Sequence, residues 1–297
     1  MLKAQQQTSY RFGAAAVTVL LWSSSFVGIR ADRSLSPGVL ALGRLVVASL
    51  VLTVLMRIQG EHLPDRRILP GAALCGALWF AGYNIALNEA ERRVDASVAA
   101  MIVYLGPLFI VVLAGLFLHE KYPPLLFVGC GVAFAGTVLI AIATSRHTAF
   151  SATGIGLCLL AALGFAGGAV SQKPLLRRAS ALQVTWLACL CGAMLCLPFA
   201  AALPGQLAHA HASSIAWLIY LGTGPTAIAF TTWGYALART STGRMGAMTY
   251  LVPLLATLLA WFMLHETPPA LAIVGGTLSL AGVTITSRLA RTGESAP

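Results

Sequence analysis

Nine carboxylates and six imidazoles are the side chains of this 297-residue chain best suited to move a proton or hold a metal. The acids are Asp32, Glu61, Asp65, Glu89, Glu91, Asp95, Glu120, Glu266 and Glu294, and the imidazoles are His62, His119, His147, His209, His211 and His265. Each falls between long apolar stretches or at the end of one. A hydrolase working inside a membrane needs paired carboxylates or a histidine-rich ligand set at depth, and a serine hydrolase needs a base beside its nucleophile. Neither is available, so no enzyme, no metal centre and no cofactor is expected. A carboxylate proton relay at mid-membrane is missing for the same reason, which predicts a carrier without tight proton coupling through such a group. Glu89, near the end of an apolar stretch, is the residue that would contradict this. The six cysteines (Cys75, Cys130, Cys158, Cys189, Cys191 and Cys196) lie in apolar segments without metal-ligand spacing and read as small buried hydrophobes.

Arg44 is the one formal charge well inside an apolar stretch. It either meets a carboxylate on a transported solute or pairs with backbone carbonyls or a neighbouring helix. Aromatic residues at helical spacing supply the other candidates. Trp79, Tyr83 and Leu87 share a face with Asn84 beside it. Thr223, Ala227, Phe230 and Gly234 share another, with Trp233 adjoining. Trp22 and Ser25 lie one turn apart, as do Phe165, Gly168 and Gln172 in succession. Pro107 and Pro253 each remove a backbone hydrogen bond, which predicts a kink that could act as a gate. The carbonyls of Val103 and Thr249 would then be open to a cavity, with Tyr104 and Tyr250 close by. All of these residues also fit simple helix packing. Gathered together, Trp22, Ser25, Trp79, Tyr83, Asn84, Tyr104, Phe165, Phe230, Trp233 and Tyr250 would line an apolar, aromatic pocket. Such a pocket suits a neutral or zwitterionic solute with a hydrophobic part, or an organic cation held over ring faces.

The elements that must position these residues are membrane helices. Hydrophobic residues make up 58% of the chain and charged residues 9%, with a mean hydropathy of +0.83. A soluble domain carries about 25% charged residues. Crossing roughly 30 Å of hydrocarbon takes about 20 apolar residues. Ten stretches qualify: Phe12–Arg30, Pro37–Met56, Leu69–Ala90, Val94–His119, Leu125–Ala143, Gly154–Lys173, Leu182–Leu203, Ser214–Leu237, Gly243–Leu264 and Ala270–Ser287. The breaks between them are short and rich in Pro and Gly. The short polar N-terminal segment with Lys3 and Arg11 precedes a first span and not a signal peptide. The net charge of +10 comes from basic residues between spans. It sets membrane orientation, and nothing in its pattern suggests nucleic-acid binding. Thirteen Lys and Arg fall on the side of the N-terminus and five on the other, which predicts cytoplasmic termini in a bacterial inner membrane.

Val94–Ile140 aligns with Thr240–Thr286 without a gap at a shift of 146, with 15 of 47 positions identical. Tyr104-Leu105-Gly106-Pro107-Leu108 meets Tyr250-Leu251-Val252-Pro253-Leu254, and Leu118-His119-Glu120 meets Leu264-His265-Glu266. Five spans per half is an odd number, so the halves should cross in opposite senses, an inverted repeat typical of secondary transporters. The domain boundaries then fall at 1–147 and 148–297. Glycines 129, 131, 136, 275, 276 and 282 read as seams for close helix packing. Glu120 and Glu266 read as carboxylates offsetting the dipole of the helix that follows each.

These motifs resemble EamA domains. The resemblance lies in Leu21-Trp22-Ser23-Ser24-Ser25-Phe26 with Arg44, then Tyr104-Leu105-Gly106-Pro107 to Leu118-His119-Glu120, followed by Gly129 and Gly136. It covers nearly the whole chain as two units. The second unit departs at its start, where Gly164-Phe165-Ala166-Gly167-Gly168 replaces Trp22-Ser23-Ser24-Ser25. The resemblance implies the ten-helix exporter branch of the drug/metabolite transporter superfamily, nearest to YddG-like amino-acid exporters. It implies export of amino acids, other metabolites or organic cations by alternating access. Because the second span is peripheral in that fold, it favours the packing reading of Arg44. The implied partners are a small-molecule substrate and membrane lipid, with a monomer or weak homodimer. A flippase for a lipid or lipid-linked sugar is the alternative, and a channel is the next.

Overall fold

The computed structural model describes residues 2–31, 35–90, 93–94, 96–144, 151–265 and 267–292. Asp32, Arg33, Glu91, Arg92, Asp95, Arg146, His147, Glu266 and Glu294 lie outside the described residues. Those described form helices joined by short turns, with no strand.

The first half runs α1 (Leu2–Ala31), α2 (Pro37–Ile58), α3 (Leu69–Cys75), α4 (Tyr83–Ala90), α5 (Ala96–Val103), α6 (Gly106–Phe117) and α7 (Pro124–Thr144). The second runs α8 (Ala152–Leu175), α9 (Ala181–Leu195), α10 (Leu203–Ala208), α11 (Ala212–Leu221), α12 (Ala229–Ala238), α13 (Thr242–Met248), α14 (Leu251–Leu264) and α15 (Ala270–Thr292). Among the described residues, seven stretches are long and apolar enough to cross a membrane, or eight if the bent pair Ala181–Leu195 and Leu197–Ala208 is one span. Two shorter apolar helices, Phe12–Ser25 and Ala270–Thr286, lie within α1 and α15. Large apolar side chains such as Leu50, Leu116, Phe117 and Phe262 are exposed on the outer faces. That is the surface of a multi-pass membrane protein, with lipid in place of water.

Helix starts follow local chemistry. Ser180 and Gln183 close a reciprocal capping box at α9, each bond 3.1 Å. Ser151 caps α8 by accepting the Gly154 N–H at 3.2 Å, and Pro37 opens α2, where its missing N–H costs nothing.

The repeat is visible in the backbone. A π-helical segment, Gly76–Gly82, joins α3 to α4, and another, Gly222–Ile228, joins α11 to α12 at the same offset of 146. In the second, Pro225 cannot donate to the carbonyl of Leu221, and the Thr226 hydroxyl donates to it instead at 2.7 Å. In the first, the Asn84 amide donates to the Phe80 carbonyl at 2.8 Å. His119 and His265 both hold φ of 55°.

Four expectations change. α1 begins at Leu2, so the polar N-terminal segment is helical and continuous with the first apolar run. The expected single helices around Pro107 and Pro253 are each interrupted, at Tyr104–Leu105 and at Thr249–Tyr250. Each proline stands in the first turn of the helix that follows, the position that tolerates it best. The Thr249 carbonyl accepts the Val252 N–H at 3.0 Å, so it is not left open to a cavity. The expected seventh span, Leu182–Leu203, ends early at Leu195 and bends by 67°, because Pro198 and then Pro204 cannot continue it. Finally, Glu120 does not cap α7, the next helix, as the site geometry below makes plain.

α7 and α15 pack along their glycines. A Cβ on Gly129 would stand 2.9 Å from the Gly282 carbonyl, and one on Gly275 would stand 2.9 Å from the Ile140 nitrogen. The Ser279 hydroxyl crosses this seam to the Ala133 carbonyl at 3.1 Å. The glycine seam therefore joins the two repeats within one molecule.

Candidate substrate site

Seven aromatic residues from both halves meet at the centre of the bundle. α1 contributes Trp22, the first π segment Trp79 and Phe80, α4 Tyr83, α8 Phe165, and α12 Phe230 and Trp233. Trp79 meets Phe230 edge-on with ring centroids 4.9 Å apart, Phe165 at 5.2 Å and Trp233 at 5.6 Å. Trp22 lies 5.1 Å from Phe230 and 5.2 Å from Trp233, and Phe80 lies 4.5 Å from Phe230. Tyr83 reaches Phe165 at 6.2 Å. Edge-to-face pairing is the favoured ring geometry. Gly168 makes the close approach possible, since a Cβ there would collide with the Trp79 side chain.

Polar groups border the rings. The Trp22 indole donates to the Pro225 carbonyl at 3.2 Å, and Thr18 meets Thr232 at 2.8 Å. The Arg44 Nε donates to the Thr226 hydroxyl at 3.0 Å, and Tyr83 and Cys189 are the groups that interact with its charge. Gln172 is fully buried, and among the described residues neither end of its amide has a partner. It lies beside Gly234, with its nitrogen 3.6 Å from where a Cβ would stand. The adjoining Trp233 indole N–H also lacks a partner and is buried. Unpaired buried donors and acceptors are costly in an apolar interior.

Beyond the rings, one end of the bundle carries a group of polar contacts. The Glu120 carboxylate accepts the Thr242 N–H at 2.8 Å and the Thr242 hydroxyl at 2.7 Å, so it caps α13. Tyr122 donates to Glu120 at 2.5 Å and accepts the Gly243 N–H at 2.9 Å. Burial, and then the hydrogen bond to the Glu120 carboxylate, push the Tyr122 phenol well above its ordinary value. The Lys173 ammonium donates to the Leu237 and Thr240 carbonyls at 2.5 and 2.6 Å. Ser180 donates to Glu61 at 2.6 Å.

Of the residues singled out from sequence, Trp22, Trp79, Tyr83, Phe165, Phe230 and Trp233 come together. Asn84 is spent on the wide turn of its own helix. The Ser25 hydroxyl donates to the Trp22 carbonyl at 2.6 Å. Tyr104 and Tyr250 pack in a separate apolar cluster with Val111, Leu126 and Cys130. Tyr250 meets Phe134 there at 6.5 Å, although Tyr104 interacts electrostatically with Tyr83. Pro107 and Pro253 start helices beside that second cluster. Sequence reasoning missed Phe80, which the wide π turn brings to 4.5 Å from Phe230. Among the described residues, no three His, Cys, Asp or Glu side chains group as metal ligands.

A family model described as the EamA-like transporter family matches residues 12–142 and again residues 152–288. A probable terminal-alkyne amino-acid exporter of Streptantibioticus cattleyicolor is 38% identical over 93% of this chain and 92% of its own. The uncharacterized transporter YdfC of Bacillus subtilis is 31% identical over 90% of this chain and 87% of its own. A solved crystal structure superposes with a TM-score of 0.82 at 22% identity, covering 97% of this chain and 99% of that one. That likeness concerns the fold.

Proposed function

This chain belongs to the EamA-like transporter family, and we propose that it exports neutral amino acids, aromatic ones foremost, across a bacterial inner membrane by alternating access. The observation that carries this reading is the central cluster of Trp22, Trp79, Phe165, Phe230 and Trp233, drawn from both repeats and bordered by a few polar groups. A side chain of matching shape is recognised by such rings, while sparse polar groups orient the rest of the solute. The relative from Streptantibioticus cattleyicolor, an amino-acid exporter by name, supports the substrate class.

In this reading the chain forms ten transmembrane helices in two inverted five-helix repeats, 1–147 and 148–297. α1 and α15, at 30 and 23 residues, are long enough to span, and the π segments recur at the same offset in both halves. Rocking of one repeat against the other opens the cluster to each side in turn. The contacts of Glu120, Lys173 and Glu61 hold the basic, cytoplasmic end shut, and the aromatic rings close in behind them. Among the described residues no carboxylate lies mid-span, which supports transport down the solute gradient.

Uptake of a labelled amino-acid panel into proteoliposomes, with and without a pH gradient, tests the reading. Saturable uptake of aromatic or aliphatic amino acids, unchanged by the gradient, is expected. Uphill uptake driven by the gradient would overturn the coupling claim, and no uptake of any amino acid would overturn the substrate class.

A further inference from the structure

Arg44 is a cation inside an apolar bundle with too few partners. It lies seven residues along α2 from Pro37, about 10 Å from that helix end at 1.5 Å per residue. Its guanidinium carries five N–H donors. One of them, on Nε, is taken by the Thr226 hydroxyl at 3.0 Å. That hydroxyl is itself fixed, since its proton goes to the Leu221 carbonyl at 2.7 Å. Gly222 lets the π segment lie against α2, because a Cβ there would stand 2.9 Å from the Arg44 carbonyl. The orienting partner is thus built into the fold, and it engages only the inner edge of the guanidinium.

Among the described residues no carboxylate reaches Arg44, and the four N–H groups of its two terminal nitrogens have no protein acceptor. Arg44 as a whole is half-buried. An unpaired charge at this depth is expensive, and a planar fork with free donors is the geometry that a carboxylate satisfies with two parallel bonds. The surroundings connect Arg44 to the rings. Thr226 lies one turn before Phe230, and Tyr83 interacts electrostatically with Arg44 and pairs with the Phe165 ring at 6.2 Å. Cys189, which also interacts electrostatically with Arg44, lies one turn from Thr185, whose hydroxyl donates to the Phe230 carbonyl at 3.3 Å.

We propose that Arg44 recognises the carboxylate of the transported solute while the aromatic cluster receives its side chain. This rests on the amino-acid reading above and narrows it. The solute must carry a free carboxylate, and organic cations lacking one are excluded by the same charge. Thr226 is the positioning residue that holds the guanidinium.

The test is exchange of labelled phenylalanine in proteoliposomes of phosphatidylcholine alone, which removes anionic headgroups as rival partners. Phenylalaninamide and phenethylamine serve as competitors. In the wild type both should compete about 10- to 100-fold more weakly than phenylalanine, the range of a charge-assisted pair. Arg44→Gln should raise KM by a similar factor and erase the discrimination, and Arg44→Lys should recover part of it. Thr226→Val keeps the charge and loses the orienting bond, so its KM should rise about threefold to tenfold even if the Arg44 variants fail to fold. If phenylalanine exchanges but phenylalaninamide competes equally, or Arg44→Gln keeps wild-type selectivity, the role of Arg44 is overturned and the amino-acid reading survives. Exchange of phenethylamine without phenylalanine would overturn both.

Discussion

The carboxylate of Glu120, after α6, holds both the backbone N–H and the hydroxyl of Thr242 at the start of α13, at 2.8 and 2.7 Å. A side chain from the first repeat thereby does for a helix of the second what an N-cap residue normally does. Ser241, the residue in the N-cap position, makes no such bond.

Removing this tie should loosen the end of the bundle it closes. Glu120→Ala leaves the Thr242 N–H and the Thr242 hydroxyl unpaired, at a cost of about 1–3 kcal/mol. A lower melting temperature is expected, together with faster labelling of a cysteine placed at Ser241 by an impermeant maleimide, in a background lacking native cysteines. Labelling at the wild-type rate would mean that the contact does not gate that end.

Tyr122 gives the same latch an alkaline limit. Burial and the bond to Glu120 raise its phenol in the folded protein. The stabilisation is therefore intact below the ordinary phenol value of about 10 and is lost as pH rises beyond it. Melting temperature should be flat from neutral pH to that point and then fall, and Tyr122→Phe should make the fall shallower. An equal slope in the variant would remove Tyr122 from the account.

Much of the fold was legible because the repeat carries residues with specific backbone demands. Pro, His and Glu in register at 107 and 253, 119 and 265, 120 and 266 are not produced by generic apolar sequence. The same register recurs in the structure as paired π segments and paired left-handed histidines, and the paired helix breaks fall within one residue of it. The π turns were not legible, because a 3.6-residue period assumes a regular helix. Phe80 therefore fell off the face that Trp79 and Tyr83 define. Asn84, assigned to the pocket, is drawn into closing that wide turn. The bend after Leu195 was written in Pro198 and Pro204, but high hydropathy on both sides hid it. Tyr104 and Tyr250 were placed at the cavity through the kinks expected at Pro107 and Pro253, and helix breaks direct them into a different cluster.

Gly131, expected in a packing seam, lies outside the α7–α15 seam, whereas Gly282 lies within it. Gly131 has open space where a Cβ would stand, whereas Gly282 would drive one into the backbone of α7. Gly131→Ala should be neutral or gain up to about 1 kcal/mol from helix propensity. Gly282→Leu should cost about 3 kcal/mol or more through forced separation. Thermal unfolding followed by size-exclusion chromatography distinguishes the two.

Gln172 should trade stability against turnover. Its amide is buried without a partner, so Gln172→Leu should be neutral or stabilise by about 1–3 kcal/mol. If the amide meets the passing solute, exchange should slow in the same variant. A more stable variant with unchanged exchange would make Gln172 a packing residue.

The central claim is that the aromatic cluster is where the solute binds, and trans-stimulated exchange of labelled phenylalanine tests it most directly. The wild type, Phe230→Ala and the exposed-face control Leu50→Ala would be compared in proteoliposomes at matched protein content. Saturable exchange accelerated by unlabelled phenylalanine inside, retained in Leu50→Ala and reduced at least about tenfold in Phe230→Ala, is the result expected. Exchange that does not saturate, or that Phe230→Ala leaves intact, would contradict it.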